Sequence, residues 1–131
     1  MSQPNYIYAC RLVRVIDGDT VEIDVDCGFS IWHRLTVRVL GVNCPEKFGG
    51  TKVAGMAAKR FTQEWFYRAT ALTVRTTLET SKTATVETSG GVFQADSFRR
   101  YLADFCSTVG TAETWLSADL LATGNAVPFH P

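Results

Sequence analysis

Polar and apolar positions alternate with a period of two through most of the first third of the chain, and a helical period takes over only later. Tyr6 to Ile16 is rich in aromatic and β-branched residues with Arg11 and Arg14 interleaved, which predicts a strand with one wet face. Asp17-Gly18-Asp19 reads as a turn, because Asp bonds its own backbone and Gly tolerates positive φ. Val21, Ile23, Val25 and Cys27 then alternate with Glu22, Asp24 and Asp26, giving a second strand with an apolar face and an acidic face. Gly28-Phe29-Ser30 turns the chain. Ile31 to Val42 returns with Leu35, Val37 and Val39 on one side and Arg34, Thr36 and Arg38 on the other, so Arg38 is expected on an outer surface of the sheet, open to a ligand. Pro45 stops this strand, and the stretch 47–52, with Gly49-Gly50, reads as a loop.

From Val53 to about Ala69 the period changes. Ala54, Ala57, Ala58, Phe61 and Trp65 recur at helical spacing, with Lys59, Arg60, Gln63 and Glu64 facing elsewhere, and this predicts one amphipathic helix whose aromatic residues pack in the core. Leu72 to Thr77 is a fourth strand by β-branching. Thr83 to Glu87 pairs with Val92 to Ala95 as an extra hairpin around Ser89-Gly90-Gly91, and the segment after Asp96 leads into a further strand ending near Cys106. Thr114 to Ala122 is a short second helix with Leu116, Leu120 and Leu121 as its stripe and Gly124 as its stop. Ala126 to Pro131 is an apolar tail. Five or so strands with an intervening helix predict a small barrel of the mainly β, α+β class, and 131 residues suit a single domain, 1–131.

Composition narrows the function more than the fold. Formal net charge is zero, so the global basic footprint of a nucleic-acid coat protein is absent and any nucleic acid must be held locally. Cys10, Cys27, Cys44 and Cys106 form no C-x-x-C pair, which leaves a zinc site unsupported and predicts buried free thiols. No apolar stretch reaches membrane-spanning length, and the segment Met1 to Tyr6 has neither a basic start nor an apolar run, so the expected location is cytoplasmic, with no membrane partner.

The candidate chemistry lies between Val15 and Glu46. If the strands flanking this stretch are neighbours, the Asp19 carboxylate, the Arg38 guanidinium and the Glu46 carboxylate gather at one end of a sheet, a grouping suited to cleaving a phosphodiester. Each residue alone has a plainer reading: Asp17 and Asp19 as turn residues, Arg38 as a solvated strand residue like Arg34, Glu46 as a loop charge. Cys44 as a nucleophile lacks a histidine in any matching motif, and His33 and His130 read as surface or packing residues.

In combination, the ordered motifs Val15-Ile16-Asp17-Gly18-Asp19-Thr20-Val21, Arg38-x-Leu40-x-Val42-x-x-Pro45-Glu46 and Asp96-x-x-x-Arg100-x-Leu102-Ala103 are specific, and over roughly Ile7 to Phe129 the chain resembles the staphylococcal nuclease (thermonuclease) family. The resemblance implies a five-stranded OB-fold barrel with helices packed against it. It further implies a calcium-dependent endonuclease that hydrolyses DNA or RNA on the 5′-oxygen side and leaves 3′-phosphates. Carried over, Asp19 is the metal carboxylate, Asn43 stands at the second metal position, and Cys44 supplies a backbone carbonyl. Arg38, Glu46 and Arg100 match the catalytic residues, and Phe98 and Leu102 fall at substrate-binding positions. No obligate protein partner is implied, and a monomer is expected. The alternative is a non-catalytic OB module that binds nucleic acid or a protein partner.

Three departures bear on the expected chemistry. Asn43 replaces a carboxylate, which removes a negative charge from the metal position and predicts weaker calcium binding or an altered cation preference. Arg99 stands where the family usually has Gly, next to Arg100. Ser97 and Phe98 replace a lysine and a tyrosine, losing a phosphate hydrogen bond while keeping an aromatic face.

Overall fold

The computed structural model describes residues 6–45, 52–76, 85–88, 91–94 and 101–129. In chain order the elements are β1 (Ile7–Asp17), β2 (Thr20–Asp26), β3 (Trp32–Val39), β4 (Val42–Asn43), α1 (Lys52–Arg68), β5 (Ala71–Thr76), β6 (Thr85–Thr88), β7 (Gly91–Gln94), β8 (Tyr101–Val109), β9 (Ala112–Trp115), α2 (Leu116–Ala122) and β10 (Val127–Pro128). Strands β3, β2, β1, β5 and β8 are hydrogen-bonded in that order, and a parallel pairing of β3 with β8 closes them into a five-stranded OB-fold-like barrel. Closure removes the exposed sheet edges that would otherwise invite pairing with another chain. Two register shifts in β1, between Leu12 and Arg14 and between Val15 and Asp17, supply the bends that a tight barrel needs.

The predicted period-two faces organise this barrel. Val21, Ile23, Val25, Val37 and Val39 point inward with Val74 and Phe105, all buried. Phe66 of α1 meets Phe105 edge-on at 5.1 Å and Trp65 at 5.1 Å, contacts that add about 0.5–1.5 kcal/mol each beyond area burial. The acidic face of β2 is drier than its alternation predicts. Asp24 is buried because Arg34 grips it from β3 at 2.9 and 3.2 Å and Arg11 from β1 at 3.4 Å. The Arg34 guanidinium, above all, holds that carboxyl below the usual range.

Four expectations shift. The strand expected to run through Val42 ends at Val39, because Gly41 takes φ 81° and turns the chain into the short β4. The buried face of α1 is Gly55, Ala58, Thr62, Trp65 and Phe66, rotated from the expected stripe so that Ala54 and Ala57 are exposed. Helix α2 begins only at Leu116, since Ala112–Trp115 pairs with β8 across the two-residue turn Gly110-Thr111 as β9. Within α2, Leu121 is exposed while Leu116 and Leu120 are buried. The tail contains β10, antiparallel to β4. The extra hairpin forms, as β6 with β7.

Helix α2 is fixed from two directions. Asp104 of β8 accepts the Ser117 amide at 3.1 Å and the Ser117 hydroxyl, doing for the helix start what its own N-cap, Trp115, does not. Asp119 accepts the Trp65 indole N–H at 2.8 Å, which locks α2 to α1.

Gly18 is required for space and not for backbone angle. A Cβ there would lie 2.8 Å from the Ala58 Cβ and 2.9 Å from the Cys44 Sγ, and its φ is not in the left-handed region. The Gly18 carbonyl accepts the Thr62 hydroxyl at 2.6 Å, so the β1–β2 turn is seated directly on α1. Gly18→Ala is therefore expected to lower stability by about 1–3 kcal/mol, the usual cost of overpacking, measured as a reduced urea midpoint at unchanged m-value. Unchanged stability would show that α1 and the turn are not in tight contact.

Candidate functional site

The β1–β2 turn delivers Asp19 to the end of the barrel where β3 finishes. Thr20 pairs with Arg38 across β2 and β3, and the Val39 amide donates to the Asp19 carbonyl at 2.8 Å, so carboxylate and guanidinium are neighbours by strand register. Asp19 is buried, at 7% exposure. Its Oδ2 accepts the Cys44 backbone N–H at 2.9 Å, and its Oδ1 accepts the Thr20 hydroxyl at 3.0 Å. Both oxygens are thus aimed by the fold, as a buried carboxylate requires.

Arg38 lies on the side of β3 opposite the buried Val37 and Val39, as alternation predicts, yet its side chain is only 12% exposed. Its Nη2 donates to Asn43 Oδ1 at 3.0 Å and stands 3.6 Å from Asp19 Oδ2. The Phe129 ring covers it, with Cζ 4.8 Å from the ring centroid, within cation–π range. Asp19, Arg38, Asn43 and Cys44, contributed by the β1–β2 turn, β3 and the β4 segment, thereby form one cluster. Leu102 lies beside Arg38 in the parallel β3–β8 register, with its side chain buried. Glu46, Phe98 and Arg100 lie outside the described residues.

The cluster carries one negative and one positive side chain. A phosphodiester added beside it would leave a net negative charge, so further cationic charge is needed to hold such a ligand. The side-chain oxygen donors at hand are the Asp19 carboxylate and the Asn43 carboxamide, hard ligands of the type calcium and magnesium take. The Asn43 oxygen has a second lone pair beyond the one engaged by Arg38. Among the described residues, no group of three or more His, Cys, Asp or Glu side chains is placed to hold a metal. The donors therefore fit a hard cation bound mainly through Asp19, with backbone oxygens, water or ligand oxygens completing its shell.

Cys44 is buried, and that burial, reinforced by the Asp19 charge, pushes its thiol up to about 12. A thiol held protonated is a poor nucleophile, so the contribution of Cys44 is its backbone. Cys27, expected to be buried, is instead exposed at the end of β2, while Cys10 and Cys106 are half-buried.

Two contacts escaped the sequence reading. Phe129 sits in a tail with no periodicity to flag it, although the run Ala126-Val127-Pro128-Phe129 carries the short apolar character of an added strand. Only the place of Thr20 next to Asp19 hints at the bond its hydroxyl makes.

A thiol-reactive disulfide in mildly alkaline buffer is expected to label Cys27 rapidly in the folded protein and Cys44 only on unfolding. Fast labelling of Cys44 under native conditions, read by mass spectrometry of peptides, would contradict its placement. Comparison with known proteins adds no family to this geometry: no family model matches the chain, and no curated protein does.

Proposed function

We propose that the chain is a divalent-cation-dependent endonuclease that hydrolyses phosphodiesters of DNA or RNA at the P–O5′ bond, leaving 3′-phosphates. The observation that carries this reading is the convergence of Asp19, Arg38, Asn43 and Cys44 at one barrel end, with the Arg38 fork held beside an oxygen-donor cluster. The motif resemblance, which adds Glu46 and Arg100, supplies the reaction class.

Attack on a phosphodiester builds negative charge on the non-bridging oxygens, and a cation already aimed there stabilises the transition state more than the ground state. Arg38 has that role. It stays protonated at any working pH, and its planar fork matches two phosphate oxygens in a way a lysine cannot. Arg100 is the second clamp. Asp19, with Asn43 and the Cys44 carbonyl, would hold the cation, which when bound supplies charge stabilisation and lowers the pKa of water. Glu46 accepts the proton of the attacking water as its oxygen bonds to phosphorus, the P–O5′ bond breaks, and the departing 5′-oxygen takes a proton from solvent to become a hydroxyl. The contacts are all to backbone phosphate, so the activity is broad in sequence.

Incubation of single-stranded DNA and RNA with calcium, then with chelator, tests this directly. Cleavage is expected with calcium or another divalent cation and not with chelator, giving ends with a free 5′-hydroxyl, and Arg38→Ala is expected to lower kcat by about 10²–10³-fold, the loss typical for one transition-state charge donor. Glu46→Gln and Arg100→Ala are also expected to be impaired. Cleavage that persists in chelator, or full activity in Arg38→Ala, would reject the mechanism; binding without cleavage would favour the non-catalytic OB module.

The missing charge at position 43 gives a separate test. Asn43→Asp adds a carboxylate to the donor set and is expected to tighten calcium binding in calorimetric titration. Equal affinity in the two proteins would show that this position does not contribute to the cation site.

A further inference from the structure

Between Asn125 and Phe129 the chain is anchored first to α2 and then to the β4 segment of the site. The Asn125 and Ala126 amides donate to the Leu120 carbonyl at 3.0 and 3.2 Å, capping α2 where Gly124 takes φ 76°. Val127 then pairs with Asn43 and Pro128 with Val42, and the Phe129 amide donates to the Gly41 carbonyl at 3.0 Å. Pro128 lacks an N–H, so the amide bonds on either side of it fix this strap. One short pairing therefore places two groups against one guanidinium: the Asn43 amide oxygen at its edge, 3.0 Å from Nη2, and the Phe129 ring 4.8 Å from Cζ. Among the described residues, Arg38 Nε and Nη1 have no hydrogen-bond acceptor.

We propose that Asn43 and Phe129 are positioning residues for Arg38, which the β4–β10 strap holds with its Nε and Nη1 donors presented to a substrate phosphate. This rests on the phosphodiester reading of the site. A free arginine side chain samples many rotamers and must be ordered when it binds; a guanidinium already gripped at edge and face loses less freedom at that step. Asn43 is then more than a weakened metal ligand. Its carboxamide accepts from Arg38 without forming the full ion pair that a carboxylate would make, so the guanidinium charge is less neutralised and acts more strongly on phosphate. Phe129, on the opposite strand of the strap, supplies a face that binds the cation with little competing charge.

The Arg38 side-chain Nε–Hε resonance reads this without substrate. In the wild-type protein it is expected as a resolved signal of low mobility displaced by the Phe129 ring current; Asn43→Ala and Phe129→Leu should each raise its mobility, read by 15N relaxation, Phe129→Leu should remove the displacement, and the melting temperature should hold. With a DNA substrate at saturating calcium, each variant is expected to lose about tenfold in kcat with KM changed by less than about threefold, and Phe129→Leu, whose residue has no part in holding the cation, should lose nothing further in an Arg38→Ala background. Phe129→Tyr, which keeps the ring, should restore both readouts. An Arg38 signal unchanged in both variants would overturn the proposal, as would a Phe129→Leu loss in kcat that persists in full when Arg38 is already absent. If the wild-type protein cleaves nothing, the nuclease reading falls, and the resonance alone still decides whether the clamp exists.

Discussion

The hydrogen bond from the Cys44 amide to the buried Asp19 carboxylate is the constraint on which the site depends. It joins the β1–β2 turn to the β4 segment across 25 residues of sequence, at the barrel end where β3 stops. Leaving either group unpaired in that dry position would cost about 1–3 kcal/mol, more for the charged one, so the two segments are held together by the need to satisfy both. The turn itself is seated on α1 by the close approach of Gly18 to Ala58 and by the Thr62 hydroxyl. Packing of a helix against a turn is thus what fixes the position of a charge.

That charge does two things at once. Asp19 is a structural acceptor and the anionic member of a cluster whose cation, Arg38, lies 3.6 Å away. With side chains 12% and 10% exposed, the pair is screened by water far less than a surface salt bridge. Arg38 is in turn shared among Asp19, Asn43 and the Phe129 ring. A local field of this kind suits a chain with zero net charge, since an anionic ligand would have to be gripped by aimed donors and not by a basic surface.

The barrel was legible because its strands alternate cleanly. Val21, Ile23, Val25, Val37 and Val39 announced their faces, and the register that sets Thr20 opposite Arg38 follows from the hairpin between them. What could not be read is what depends on tertiary contact. Gly18 resembles a turn glycine, and nothing local reveals that Ala58 presses on it. Helix α1 turns its Thr62 inward because a backbone carbonyl waits there, which overrides the more apolar stripe through Ala54 and Ala57. Asp24 looks solvent-facing until Arg11 and Arg34 arrive from two other strands. The strap that carries Phe129 has only two paired residues, too short for any period to show.

The central claim, that the Asp19–Arg38 cluster is where a nucleic-acid backbone binds, is tested most directly by following backbone amide resonances as a short single-stranded oligonucleotide is added in the presence of calcium. The account predicts saturable shifts at Asp19, Thr20, Arg38, Asn43 and Cys44, absent in Arg38→Ala, with the solvent face of α1 around Gln63 and Tyr67 undisturbed. Shifts centred on another face of the barrel, or shifts at the cluster that survive the loss of Arg38, would contradict it.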